Sequence, residues 1–137
     1  MSTSLRLINP APLARPSGYS HVAVAPVHEI AFISGQVAYD GAGHLVGAGD
    51  LAAQTRQVMQ NLSDALQAVG ADFSHVAKLT IFVKDLDEAA VATIREVRAD
   101  FLSPTAPPTS TMIGVTALVR PELLVEIEAY AVLPAST

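Results

Sequence analysis

The chain has 137 residues, with eight Lys plus Arg set against thirteen Asp plus Glu, for a net charge of -5. Its cations stand singly and it has four Phe, three Tyr and no Trp, so it has neither a basic run to displace phosphate counterions nor many platforms for stacking bases, and no nucleic-acid partner is expected. With no cysteine there can be no disulfide or zinc-thiolate site, and no apolar stretch reaches the ~18 residues of a membrane span, so a cytoplasmic location with no membrane partner is the default expectation.

In chain order, residues 5–8 predict a short strand cut by Asn9-Pro10, followed by a loop with Pro12, Pro16 and Gly18. Residues 20–25 and 29–34 predict two further strands separated by Pro26-Val27-His28. The glycine-rich segment 40–49 predicts a loop. Asp50 stands as the N-cap of a long helix whose buried stripe is Leu51, Thr55, Val58, Leu62, Leu66 and Val69, with Gly70 as the stop. Residues 76–83 predict a strand, and Asp85 with Glu88 resembles a capping box for a second helix. That helix would carry the stripe Val91, Ile94, Val97 and Phe101, ended by Ser103-Pro104. Strands over 110–117 and 123–132 close the chain.

The order β-β-β-α-β-α-β-β, with two helices able to cover only one sheet face, predicts an α+β sandwich in a single domain over 1–137. Only 15% of the residues are charged, against about 25% in a typical soluble domain. That shortfall predicts that the uncovered sheet face is hidden in a homo-oligomer.

The last predicted strand carries the first candidate site. Glu126 and Glu128 lie two apart in an apolar run, so both carboxylates project from one face while Val125, Ile127 and Ala129 fill the other. A carboxylate at the rim of a buried sheet can orient or deprotonate water, although paired acids also occur on plain solvated strands. Ser34-Gly35-Gln36 ends a predicted buried strand, where glycine permits close approach to the backbone. His21, His28, His44 and His75 have no metal-ligand spacing, so neither a metal nor a cofactor is expected.

Four blocks then carry a resemblance: Phe32-Ile33-Ser34-Gly35-Gln36; Ala53-Gln54-Thr55-Arg56-Gln57 with Asn61-Leu62; Leu79-Thr80-Ile81-Phe82-Val83-Lys84-Asp85-Leu86; and Val125-Glu126-Ile127-Glu128-Ala129. In that order they resemble the reactive-intermediate deaminase superfamily, the Rid or YjgF-like proteins, whose older label is L-PSP endoribonuclease. The resemblance implies a chorismate-mutase-like α+β fold, a homotrimer, and a small-molecule metabolite bound in clefts between subunits. It also implies hydrolysis of enamines and imines, with Glu126 as the residue that positions water. Tyr19, Ser34 and Gly35 fall on ligand-contacting positions.

The sequence departs from the deaminase pattern at three places. Thr109 stands where active members carry an arginine that clamps the substrate carboxylate. Thr93 replaces a cleft asparagine, and Thr111 stands where many members carry cysteine. Arg120 is the only cation nearby in sequence. A neutral, hydroxyl-lined pocket and a neutral or weakly anionic substrate are therefore expected. A non-catalytic small-molecule-binding trimer is the alternative.

Overall fold

A computed structural model describes residues 5–26 and 28–134. The elements are β1 (Arg6–Ile8), β2 (Val22–Val24), β3 (Glu29–Gln36), α1 (Leu51–Ala68), a 3-10 turn (Phe73–His75), β4 (Val76–Lys84), α2 (Glu88–Arg98), β5 (Thr109–Val115) and β6 (Val125–Leu133). Of the expected Pro26-Val27-His28 connection, Val27 lies outside the described residues, as do both ends of the 1–137 span.

The main sheet has the order β3-β6-β4-β5. Its β3/β6 and β6/β4 pairs are antiparallel, and β4/β5 is parallel. A parallel pair needs a crossover, which α2 supplies. β1 and β2 form their own antiparallel pair. It abuts the sheet through Ser20, whose N–H donates to Pro108 O at 3.0 Å.

Alternation along the strands decides which face is covered. Leu79, Ile81 and Val83 of β4 and Val125, Ile127, Ala129 and Ala131 of β6 are buried in one cluster with Val58, Met59, Leu62 and Leu66 of α1 and Ala90 and Ile94 of α2. Each large apolar side chain removed from water in this way contributes about 1.5–3 kcal/mol. Both helices therefore cover the same sheet face, and the result is the mixed α+β fold that the element order predicts.

Several boundaries differ. The cap of α2 is Asp87, whose side chain accepts from Ala90 N at 2.7 Å. Asp85 instead takes a left-handed backbone (φ 55) that turns the chain out of β4. Val69 caps the end of α1 and is 44% exposed rather than buried, because Gly70 (φ 74) already reverses the chain there. Phe101 lies past α2 and packs edge-on against Phe73. Within α2 it is Ala90, rather than Val91, that joins the core. β2 is shorter than the 20–25 expectation, β5 ends at Val115, and β6 begins at Val125.

Candidate functional site

The uncovered sheet face presents side chains in cross-strand rows. Register places Thr109 beside Lys78 and Lys78 beside Tyr130, which in turn pairs with Phe32. The next row runs Thr111, Thr80, Glu128, and the third Ile113, Phe82, Glu126. Neighbouring strands lie about 4.8 Å apart, so each row spans the sheet from its β5 edge toward β3. Phe32 is 75% exposed and meets Tyr130 edge-to-face, with ring centroids 5.5 Å apart. Ile30 and Ile113 are exposed on the same face. A face this apolar is costly to leave in water.

Glu126 and Glu128 share this face, as their spacing predicts, and neither makes a hydrogen bond or ion pair among the described residues. The β3/β6 register shifts between Ile33 and Gln36, which places a bulge at Ser34-Gly35. The Glu126 side chain lies over that bulge. A Cβ at position 35 would overlap its carboxyl group, so glycine there makes room for the acid. Ser34 is exposed beside it. These three expected residues are brought together.

Two amides of α1 hold the segments on either side of them. Gln54 is fully buried; its Nε2 donates to Gly47 O at 3.1 Å and to Glu122 O at 3.0 Å, and its Oε1 accepts from Leu124 N at 2.9 Å. Asn61 Nδ2 donates to Val37 O at 3.1 Å and to Tyr39 O at 3.0 Å. The entry to β6 and the exit from β3 are thereby tied to one helix. The sequence signal was present as amides on an apolar helix face, without a partner to assign them.

At the β5 edge the expected neutral pocket needs correction. The Thr109 hydroxyl donates to Ala77 O and is spent on the backbone. The Thr111 hydroxyl accepts from Lys78 Nζ at 2.5 Å, so an ammonium stands in the threonine row. Composition lists Lys78 as one scattered cation, and only the parallel β4/β5 register shows where it goes. The other open-face lysine, Lys84, donates to Pro121 O at 3.1 Å and holds the loop before β6.

Tyr19 and Thr93 are not part of this face. Tyr19 lines a hollow of about 220 Å³ with Arg95, Arg98, Ser110 and Met112, on the helix-facing side of β5. Thr93 lies half-buried on α2. Arg120 lies near Tyr39, whose hydroxyl donates to Glu122 Oε1 at 3.0 Å. Loss of solvent, then the Glu122 contact, raises the Tyr39 pKa, and the Arg120 charge acts in the opposite direction.

A cleft of about 440 Å³ beside Gly35 is walled by Gln36, Tyr39, Asp40, Gln57 and Asn61. A hollow of about 720 Å³ lies away from Glu126 and Glu128, between β1, the 3-10 turn and the 99–108 connection. Size alone therefore does not mark the chemistry, and the convergence of Glu126 with the Ser34-Gly35 bulge is the better guide.

The Endoribonuclease L-PSP family matches residues 10–133. Protein DfrA of Myxococcus xanthus is 40% identical over 83% of this chain and 84% of its own length. A 2-iminobutanoate/2-iminopropanoate deaminase of Mus musculus is 33% identical over 74% of this chain and 72% of its own. Among solved structures, YyfB of Yersinia pestis, described as a protein of unknown function of the conserved Rid family, is 39% identical. It superposes with a TM-score of 0.89 over 96% of this chain and 100% of its own.

Proposed function

Since the chain belongs to the Endoribonuclease L-PSP family, which includes the Rid and YjgF-like proteins, we propose that it hydrolyses a C=N intermediate in a cleft between the subunits of a homotrimer. Ser34, Gly35 and Glu126 of one subunit would face Lys78, Thr109 and Thr111 of the next. The exposed Phe32, Tyr130, Ile30 and Ile113 support this assembly, because ring closure would remove them from water.

The chemistry asks little of the protein. A protonated imine carbon is electrophilic; Glu126 accepts a proton from water as the oxygen bonds to that carbon. Glu126 then returns that proton to the amine nitrogen, the C–N bond breaks as ammonia leaves, and the hydroxyl gives its own proton to solvent, leaving a carbonyl. An enamine enters the same sequence after tautomerising to the imine. The observation that carries this assignment is the unpaired Glu126 carboxylate lying over the Gly35 bulge.

Substrate choice follows from the β5 edge. An arginine at position 109 would grip a carboxylate by two parallel bonds; Lys78 offers one point charge instead. A weakly anionic imine, held less stringently than an imino acid in an arginine-bearing relative, is the expected substrate. The nuclease in the family's older label gains no support, because Lys78 and Lys84 share their face with Glu126 and Glu128.

The test uses imines generated in place by an amino-acid oxidase, with semicarbazide competing for them. Glu126→Gln is expected to lose 10²-fold or more in turnover while ligand-induced thermal stabilisation persists. Wild-type protein that binds such ligands yet never outpaces spontaneous hydrolysis is a binding module, and the hydrolytic assignment then falls.

A further inference from the structure

Behind β5, away from the carboxylates, two arginines of the last turn of α2 stand between two hollows. One, about 260 Å³, includes Ser17, Gly18, Arg95 and Arg98 in its wall; the other, about 220 Å³, includes Tyr19, Arg95, Arg98 and Ser110. Among the described residues, no Asp or Glu lines either hollow.

Arg98 is only 5% exposed, and the one hydrogen bond of its guanidinium among the described residues runs from Nη1 to the neutral Ser110 Oγ at 3.2 Å. Gly18, in a left-handed conformation (φ 77), brings bare backbone against the guanidinium; a Cβ there would sit 3.2 Å from Nη2. Burial, and next the charge of Arg95, pulls the Arg98 pKa down, yet a guanidinium keeps its proton in proteins. Arginines are almost never this buried without a paired carboxylate or phosphate. The dipole at the C-terminus of α2 attracts both cations, but it leaves their donors unfilled.

We propose that Arg95 and Arg98, with Ser110 and Tyr19, form a site behind β5 that binds the phosphate group of a small metabolite. Two adjacent guanidinium groups match a dianion better than a single carboxylate. The planar forks also suit phosphate oxygens. Ser110 and Tyr19 add neutral hydroxyl partners. The site lies on the opposite side of β5 from Thr109 and Thr111, so it does not depend on the hydrolytic assignment.

The experiment is calorimetric titration of the intact assembly with inorganic phosphate, at ionic strength matched by chloride, with acetate as the comparison anion. Wild-type protein is expected to saturate with phosphate and to bind acetate at least tenfold more weakly. Arg95→Ala, at an exposed position that leaves the core intact, is expected to weaken phosphate at least tenfold, with Arg95→Lys intermediate. Absence of saturation in wild type, equal affinity for acetate, or unchanged binding by Arg95→Ala would each overturn the proposal. So would a crystal structure of the assembly with a carboxylate from a neighbouring subunit seated on Arg98.

Discussion

The carboxyl group of Glu126 fills the space above Gly35 that any other residue's side chain would need, and a Cβ at position 35 would also come within 2.9 Å of Glu126 Cγ. The clash is with the far part of a flexible side chain rather than with backbone, so the acid can swing away at modest cost. Gly35→Ala is thus expected to fold normally and to displace the one group assigned to hold water. Turnover of an in-place imine should drop about tenfold or more, since small displacements of a catalytic group are costly. The melting temperature should shift by only a few degrees. Unchanged turnover in the alanine variant would separate Gly35 from the reaction.

Lys78 supplies the charge at the β5 edge, so its removal should act on anions only. Lys78→Met is expected to raise the KM for a carboxylate-bearing imine by about ten- to a hundredfold, the worth of one charge-assisted bond of roughly 1.5–3 kcal/mol. Neutral analogues should be unaffected. Conversely, Thr109→Arg should raise kcat/KM for the same imine by about tenfold or more. It should also lower stability slightly, because register sets residue 109 directly beside Lys78 and like charges across a strand pair repel. Comparing KM and melting temperature for the two variants checks both statements.

Much of this fold is legible in the sequence because one physical signal dominates it. The 3.6-residue stripe of α1 and the alternation of Val125, Ile127 and Ala129 are burial patterns, and burial recurs in the structure at Thr55, Val58, Leu62 and Leu66 and along β6, failing where α1 ends at Val69. The cap of α2 was less legible. Both Asp85 and Asp87 suit the role by type, and only the left-handed turn at Asp85 decides between them. The site was legible where it is local, as in the shared face of Glu126 and Glu128. It was hidden where it depends on register. No spacing rule connects Lys78 to Thr111 or Arg98 to Ser110, because a parallel crossover through α2 sets both contacts.

Gln54 shows how the core holds the site. Replacing it by Leu keeps the volume and the apolar helix face, but strands Gly47 O, Glu122 O and Leu124 N. Each buried group left unpaired costs about 1–3 kcal/mol, so Gln54→Leu is expected to lose about 3 kcal/mol or more in denaturant unfolding. Because two of those groups flank the start of β6, turnover should fall as well, even at temperatures where the variant remains folded. A loss below about 1 kcal/mol would mean that water replaces the amide freely.

Acid should weaken the chain through two loop aspartates. Asp40 accepts from His44 N and Ala42 N, both at 2.9 Å, and these bonds, His44's first, hold its carboxyl below the usual range. Asp72 is lowered mainly by the Ser74 hydroxyl, with further contributions from the Ser74 N–H and His75. A carboxyl whose folded pKa lies below its unfolded one binds fewer protons when folded. Its contribution is therefore complete above the unfolded value, about pH 4, and is lost as pH falls through the folded value. Stability from urea titrations should be flat from pH 7 to about 5 as far as these groups are concerned, then decline toward pH 3. Asp72→Asn, which keeps the acceptor oxygen but cannot titrate, should lower stability at pH 7 and flatten part of the acid decline. An identical decline in Asp72→Asn and wild type would assign the acid sensitivity to other carboxylates.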